Sequence, residues 1–230
     1  MAEHWVVTGA NRGLGLEFVR RLTARGDRVT ACVRDEAARL ALGAQLAPQH
    51  AAVDFRLFDQ RDAGAVAAAG ASTAGPVDVL IANAGAFGPS PQAPLDLDTS
   101  AALDLFSINA LGPLRVAQAF LPKLFDAPNP RVVLMSSQLG STTDVRPETA
   151  AYAASKAALN KFAQCLAAEL KLRGVTVIAL HPGWVRTDMG GPNAPLAPHE
   201  SVEAAIATID ALGAEQTGAF LDYAGRGVPW

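Results

Sequence analysis

The 230-residue sequence predicts an α/β protein on one doubly wound parallel sheet. Two observations carry this. Short β-branched apolar runs alternate with helical periodicity along the whole chain, the order in which a parallel sheet covers both faces with helices. A glycine-rich turn, Thr8-Gly9-Ala10-Asn11-Arg12-Gly13-Leu14-Gly15, falls between the first strand and the first helix. Small apolar residues fill the rest. Half of the residues are apolar but only 6% are aromatic, which suits helices packed closely on a sheet.

Trp5–Thr8 is the first strand, ending at Gly9. Leu14–Arg25 is helical through Leu14, Phe18, Val19 and Leu22, and stops at Gly26. Arg28–Val33 is the second strand. Asp35–Ala47 is a helix, with Asp35 as N-cap and Pro48 as terminator. Val53–Phe58 is a strand, Asp62–Ala71 an Ala-rich helix, and Val77–Ala82 the fourth strand, introduced by Gly75-Pro76. A Pro- and Gly-rich loop, 85–94, leads to two helical pieces, Thr99–Asn109 and Leu111–Phe125. Arg131–Met135 is the fifth strand. A long helix runs from Ala150 to Arg173, where Gly174 stops it, through Leu159, Phe162, Leu166 and Leu170. Thr176–His181 is a strand, Pro198–Leu212 a helix, and Gly218–Asp222 the last strand. Residues 183–198 are too long and too rich in Gly and Pro for an ordinary connection, and are expected to form a substrate loop within a single domain spanning 1–230.

The remaining composition narrows the function. The formal net charge is −3 and no basic run is interleaved with aromatics, so a nucleic-acid partner is not expected. No apolar run is long enough to cross a bilayer, and no signal peptide opens the chain, so a cytoplasmic protein is expected. Cys32 and Cys165 are expected to be buried thiols of a reducing compartment, and the four histidines lack metal-ligand spacing.

The glycine turn suits a pyrophosphate. Glycines let the backbone turn tightly and come close, and a helix N-terminus offers free N–H groups and a positive dipole end. The same turn would also serve merely to pack a helix closely. The end of the second strand is where an adenosine ribose would lie, and an arginine there suits a 2′-phosphate. Arg34 and Arg12 therefore favour NADPH. Asp35, one place later, leaves NADH as the alternative, and both arginines would equally suit a solvated surface.

Tyr152 and Lys156 lie four apart, on one face of the long helix. A phenol ordinarily titrates near 10, and a neighbouring ammonium would favour its ionised form. A core ring beside a solvated amine has the same spacing. Ser136 and Ser137 end a strand, and Asn109 stands where a helix end is expected before Leu111-Gly112-Pro113.

Together these residues resemble the short-chain dehydrogenases/reductases over nearly the whole length. TGANRGLG is similar to the family's TGxxxGxG, Ala82-Asn83-Ala84-Gly85 to its NNAG, and Pro182-Gly183 with Thr187 to its PG segment. HPGWVRTDMGGPNAPL resembles most the C-factor and Sniffer-type branch. The resemblance implies a Rossmann-type sheet of about seven strands in the order 3-2-1-4-5-6-7. It implies a catalytic set of Asn109, Ser137, Tyr152 and Lys156. Cofactor contacts are implied for Gly9, Asn11, Arg12, Gly13, Leu14, Gly15, Arg34, Asp59, Gln60, Asn83, Ala84, Gly85, Tyr152, Lys156, Pro182, Gly183, Val185 and Thr187. Asn109 would hold a water between Lys156 and solvent. Ala82 departs from the motif's first asparagine, a change expected to affect sheet packing.

The expected reaction is reduction of a small hydrophobic ketone or aldehyde by NADPH, with no metal. Phe87, Leu139, Trp184 and Met189 are the candidate substrate wall. A homodimer or homotetramer is expected, through the helices around Leu111–Phe125 and Ala150–Arg173. Two alternatives stand beside this: a cofactor-binding regulator of the C-factor type, and a 3-oxoacyl-carrier-protein reductase.

Overall fold

The computed structural model describes residues 2–46 and 53–230. Seven strands form one parallel sheet in the order β3-β2-β1-β4-β5-β6-β7, as the family pattern implies. They are β1 (His4–Thr8), β2 (Arg28–Val33), β3 (Val53–Leu57), β4 (Val79–Ala82), β5 (Arg131–Met135), β6 (Thr176–His181) and β7 (Phe220–Asp222). The helices are α1 (Gly13–Arg25), α2 (Glu36–Leu46), α3 (Ala63–Ser72), α4 (Thr99–Phe106), α5 (Gly112–Leu124), α6 (Ala150–Leu170) and α7 (Pro198–Asp210).

Both faces of the sheet are buried because successive side chains of a strand point to opposite faces. In β1, Trp5 and Val7 enter the core that holds Phe18, Leu22, Leu42 and Ile209, from α1, α2 and α7. Val6, between them, enters the core that holds Val66, Phe120 and Leu159, from α3, α5 and α6. The chain crosses from one face to the other after β3, so β1 and β4 lie side by side with their following loops diverging. That divergence opens the crevice in which such sheets place their ligands.

Several boundaries differ from the sequence expectation. β3 ends at Leu57, one residue early. β4 begins at Val79 because Val77 bonds to the carbonyl of Lys123 in α5 rather than to a strand. β7 begins at Phe220 because Gly218 turns the chain at φ 84°. Asp35 caps α2 as expected, its Oδ1 accepting from the Ala38 N–H at 2.9 Å. The expected end of α2 at Ala47 and Pro48 lies outside the described residues.

The two helical pieces between β4 and β5 do not separate. A π turn, Ser107–Leu111, joins α4 to α5, with the Gly112 N–H reaching back to the Ser107 carbonyl. Pro113 explains the local opening: it has no N–H to give the carbonyl of Asn109, four residues back. Cys32 is buried as expected, and burial pushes its thiol up to about 12. Cys165 is exposed, against expectation. The inward side of α6 is filled by Leu159, Ala163, Leu166 and Leu170, leaving position 165 to face out.

Candidate active site

Beyond the carboxyl ends of β1, β2, β4 and β5 lies a cleft of about 750 Å³. The glycine turn forms its floor. Gly9 and Gly13 have φ of 65° and 55°, a region L side chains rarely occupy. A Cβ on Gly9 would stand 2.9 Å from the Cα of Ala84, and one on Gly15 would stand 2.2 Å from the Gly9 carbonyl oxygen. The turn is thus as tight as its glycines permit. Asn83 holds it from β4, Nδ2 donating to the Thr8 carbonyl at 2.9 Å, while Thr8 Oγ1 accepts from the Ala84 N–H at 3.0 Å. Arg12 occupies the N-cap of α1, and no side chain caps that helix. Its first N–H groups are therefore left for an anion. This cradle fits the pyrophosphate of a dinucleotide.

One end of the cleft is bordered by Arg34, Asp35, Ala38, Phe58 and Asp59. The carboxylate of Asp35 is committed. Besides capping α2 it meets Arg34 Nε at 3.3 Å, and these contacts hold it below the ordinary carboxylate range, the cap bond foremost. Arg34 and Arg12 both border the cleft and both are largely exposed. Arg12 is turned toward the loop 183–198, Nη1 lying 3.1 Å from Asp188 Oδ2. Asp59 pairs with Arg61 at 2.7 Å, and Arg61 in turn with Asp104 at 2.9 Å. The Arg61 hydrogen bonds keep the Asp59 carboxyl below its usual range. Gln60 lines the cleft, and its amide nitrogen is spent on structure: Nε2 donates to the carbonyls of Ile108 at 2.8 Å and Ala84 at 3.2 Å, while Oε1 is buried without a partner among the described residues. It thereby ties the loop after β4 to the π turn.

The opposite end gathers Tyr152, Lys156, Asn83, Gly85 and Met135 around the same cleft. Lys156 is buried, and its Nζ donates to the Met135 carbonyl at 2.7 Å. Nζ also lies 5.8 Å from the centroid of the Tyr152 ring. Asn109 is fully buried. Its Nδ2 donates to the Ala86 carbonyl at 2.8 Å and to Ser155 Oγ at 3.0 Å, and its Oδ1 accepts from the Ala86 N–H at 2.9 Å. The loop after β4, the π turn and α6 are thus locked together at one side chain. Ser137 caps a short 3₁₀ turn, Gln138–Gly140, its Oγ accepting from the Leu139 N–H at 3.2 Å. Ser136 is buried and bonded to Asn160 at 2.5 Å, so Ser137 is the serine left with exposure.

Burial sets the electrostatics of this end. It pushes the Tyr152 phenol up to about 12, with the Ser137 hydroxyl pulling the other way, and pulls Lys156 down to about 8. Desolvation disfavours both charged forms in the chain by itself. The expected lowering of the phenol by Lys156 involves the charge of the bound nicotinamide as well.

The predicted substrate residues divide. The Phe87 ring lies 5.0 Å from that of Tyr152, at 34° between planes. Leu139 packs on the small cluster of Leu105, Ala151 and Tyr152. Met189 borders the cleft from the loop. Trp184 turns away, Nε1 donating to the Gly190 carbonyl at 2.8 Å. The loop is internally braced. Arg186 Nη1 donates to the carbonyls of Ala194 at 2.8 Å and Pro195 at 2.6 Å, and Val185 bridges Leu196. Pro182 and Thr187 reach the cleft wall, with Thr187 resting against the space at Gly13. Gly15, Gly183 and Val185 lie behind that wall. Gly15 is under the turn, Gly183 against Leu196 and Tyr223, and Val185 in the loop's own core.

Sequence reasoning missed three participants. Gln92, 3% exposed, accepts from the Tyr152 N–H through Oε1 at 2.9 Å and donates to the Phe87 carbonyl at 2.9 Å. It supplies the cap that α6 lacks at Thr149. Asn160 bonds Ser136, and Arg61 bridges Asp59 to α4. Gln92 has no local signal, since it serves a helix 60 residues away. Asn160 had one, four residues beyond Lys156 on the same helix face. Among the described residues no cluster of His, Cys, Asp and Glu is placed to hold a metal ion, and no helix is long and apolar enough to cross a membrane.

Comparison with known proteins agrees with this geometry. The model of the short chain dehydrogenase family matches residues 3–195. The C-signal protein of Myxococcus xanthus is 45% identical over 157 residues, which span 68% of this chain and 94% of that protein. The carbonyl reductase of chicken fatty liver, solved with NADPH bound, matches with a TM-score of 0.91 at 30% identity, covering 100% of this chain and 99% of that one. The carbonyl reductase Sniffer of D. melanogaster matches with a TM-score of 0.91 at 30% identity over 100% of both chains. The chain belongs to the short-chain dehydrogenase family of oxidoreductases, on the branch that includes C-signal and the Sniffer-type carbonyl reductases.

Proposed function

We propose that the chain reduces small hydrophobic ketones or aldehydes with NADPH, and oxidises the corresponding alcohols in reverse. The observation that carries this is one cleft bordered by the glycine turn and Arg34 on one side and by Tyr152 and Lys156 on the other. NADPH, held by the glycine turn and Arg34, would supply the hydride for the carbonyl carbon. Tyr152 gives its proton to the oxygen. A buried phenol held near 12 keeps that proton at neutral pH until alkoxide charge develops beside it. Ser137 donates to the same oxygen, at the exposed end of β5. Lys156 faces the phenol and, being drawn down to about 8, exchanges its own proton readily to restore that of Tyr152. Asn109 fixes the loop at Ala86 and leaves its main-chain carbonyl without a helical donor, an acceptor for a water that relays protons to Lys156.

The commitment of Asp35 to its helix cap and to Arg34 favours the 2′-phosphate over a bare ribose at this end. The bound NADPH of the chicken relative supports the same preference. Residues 183–198 act as the substrate loop, and Phe87, Leu139 and Met189 form the apolar wall. The outer side of α6, with exposed Cys165 and Ala154, and α5 serve association into a dimer or tetramer.

The test is a panel of ketones and aldehydes with NADPH and NADH. Apolar carbonyls turned over faster with NADPH support the reading, and activity confined to anionic thioesters overturns it. The similarity to C-signal favours one second reading, a dinucleotide-binding signalling protein with little turnover. Biological output that survives Tyr152→Phe would select it.

A further inference from the structure

One buried polar side chain of α6 has no part in the reaction set out above. Asn160 is one turn beyond Lys156 and two beyond Tyr152, so the three share a helix face. It is 4% exposed. Its Oδ1 accepts from Ser136 Oγ at 2.5 Å, and its Nδ2 donates to the Gly140 carbonyl at 3.1 Å. These two groups stand on either side of Ser137. Ser136 precedes it at the end of β5, and Gly140 closes the 3₁₀ turn that Ser137 caps.

The contact between that turn and α6 has no slack. A Cβ on Gly140 would stand 2.9 Å from the carbonyl carbon of Lys156. The Gly140 N–H donates to the Ser137 carbonyl at 2.9 Å, so displacement of Gly140 carries Ser137 with it. On the other side the Ser136 N–H donates to the Leu180 carbonyl of β6 at 2.8 Å. The Ser137 side chain itself accepts from Leu139 within its own turn. Its placement against the phenol therefore comes from its neighbours.

We propose that Asn160 is a positioning residue that sets the Ser137 hydroxyl against Tyr152 by tying the backbone on both sides of Ser137 to the helix that carries the phenol. The proposal rests on the carbonyl-reductase reading for its kinetic consequence, and on the geometry alone for its structural one. A carboxamide suits the task because it offers an acceptor and a donor from one rigid plane. Aspartate would accept from Ser136 but set a negative oxygen against the Gly140 carbonyl. Leucine would fill the space and make neither bond.

The experiment compares wild type with Asn160→Leu, Asn160→Asp and the gentler Ser136→Ala. It reads kcat and KM for a reducible ketone, Kd for NADPH, the pH profile of kcat/KM, and a crystal structure of one variant. Asn160→Leu is expected to lower kcat ten- to a hundredfold, with NADPH Kd unchanged within twofold. Ser136→Ala, which breaks one of the two ties, falls between it and wild type. The pH profile of kcat/KM is expected to keep its alkaline limb, which belongs to Lys156, so that the loss falls on kcat at every pH. Ser137 Oγ should lie displaced by about an ångström in the variant crystal. A loss of thermal stability with kcat and Ser137 position unmoved would overturn the proposal. Absence of any carbonyl turnover by wild type would instead sink the reductase reading, and the position of Ser137 in the variant crystal would still decide the role of Asn160.

Discussion

The ε-amino group of Lys156 sits 5.8 Å from the centre of the Tyr152 ring while donating to the Met135 carbonyl at 2.7 Å. The amine is thus held by the sheet and displayed to the phenol. Burial lowers its pKa from the usual 10.5 to about 8, which makes stability depend on pH. For a group depressed on folding, the stabilising contribution is complete above the unfolded value and is lost as pH falls through the folded one. Wild type should therefore gain on Lys156→Met between pH 7 and pH 10, by on the order of 3 kcal/mol across the window. Urea unfolding of both proteins at the two pH values measures it, and a difference independent of pH would contradict it.

Tyr152→Phe removes the proton donor and little else, since the ring still meets Phe87. Turnover should fall by about two to four orders of magnitude, the range of general acid catalysis. NADPH affinity, read by fluorescence titration, should stay within a few-fold. A variant keeping a tenth of wild-type kcat would remove Tyr152 from the chemistry.

Arg12 already holds one anion, Asp188. Its pair with Asp188 is exposed on both sides and contributes at most about 1 kcal/mol. A 2′-phosphate would compete with that partner. Asp188→Ala should leave NADPH KM unchanged or lower it about twofold, a shift well inside that 1 kcal/mol. Arg12→Ala with Arg34→Ala should raise NADPH KM by about tenfold or more and barely move that of NADH. Equal shifts for both cofactors would show that neither arginine reads the phosphate.

Gln92 supplies the α6 cap from a distant loop. Replacing it by Leu should cost about 1 kcal/mol, the usual worth of a cap, and lower Tm by about 2–4 °C. Glutamate keeps the acceptor for the Tyr152 N–H but sets a buried carboxylate oxygen against the Phe87 carbonyl, and should recover little of the loss. Calorimetry of both variants would reveal an unimportant cap as two unchanged melting temperatures.

Local patterns in the chain were enough to find the strands, the glycine turn and the helix carrying Tyr152 and Lys156, while the strand order came from the family resemblance. Each depends on residues close in sequence: glycines at positive φ, a stop at Gly26 or Gly174, apolar residues at helical spacing. The contacts that fix the site were not legible. Asn109 meets Ala86 and Ser155, and Gln92 meets Tyr152, across 23 to 60 residues. The depressed Lys156 and raised Tyr152 were equally hidden, because desolvation is a property of the assembled core and not of a four-residue spacing. Arg12 and Arg34 were found, but not the carboxylates they already hold.

The two cysteines are opposites, and this gives the chain a ready reporter. Cys32 sits inside the sheet with its thiol held near 12, out of reach of alkylating reagents, while Cys165 stands free on the outside of α6. A maleimide dye would mark position 165 alone, about two and a half turns beyond Lys156 and so on the opposite side of the helix. The rate of that labelling, slowed as protein concentration rises, would then report any self-association that covers α6 in solution, without a tag, an engineered residue or any contact with the cleft.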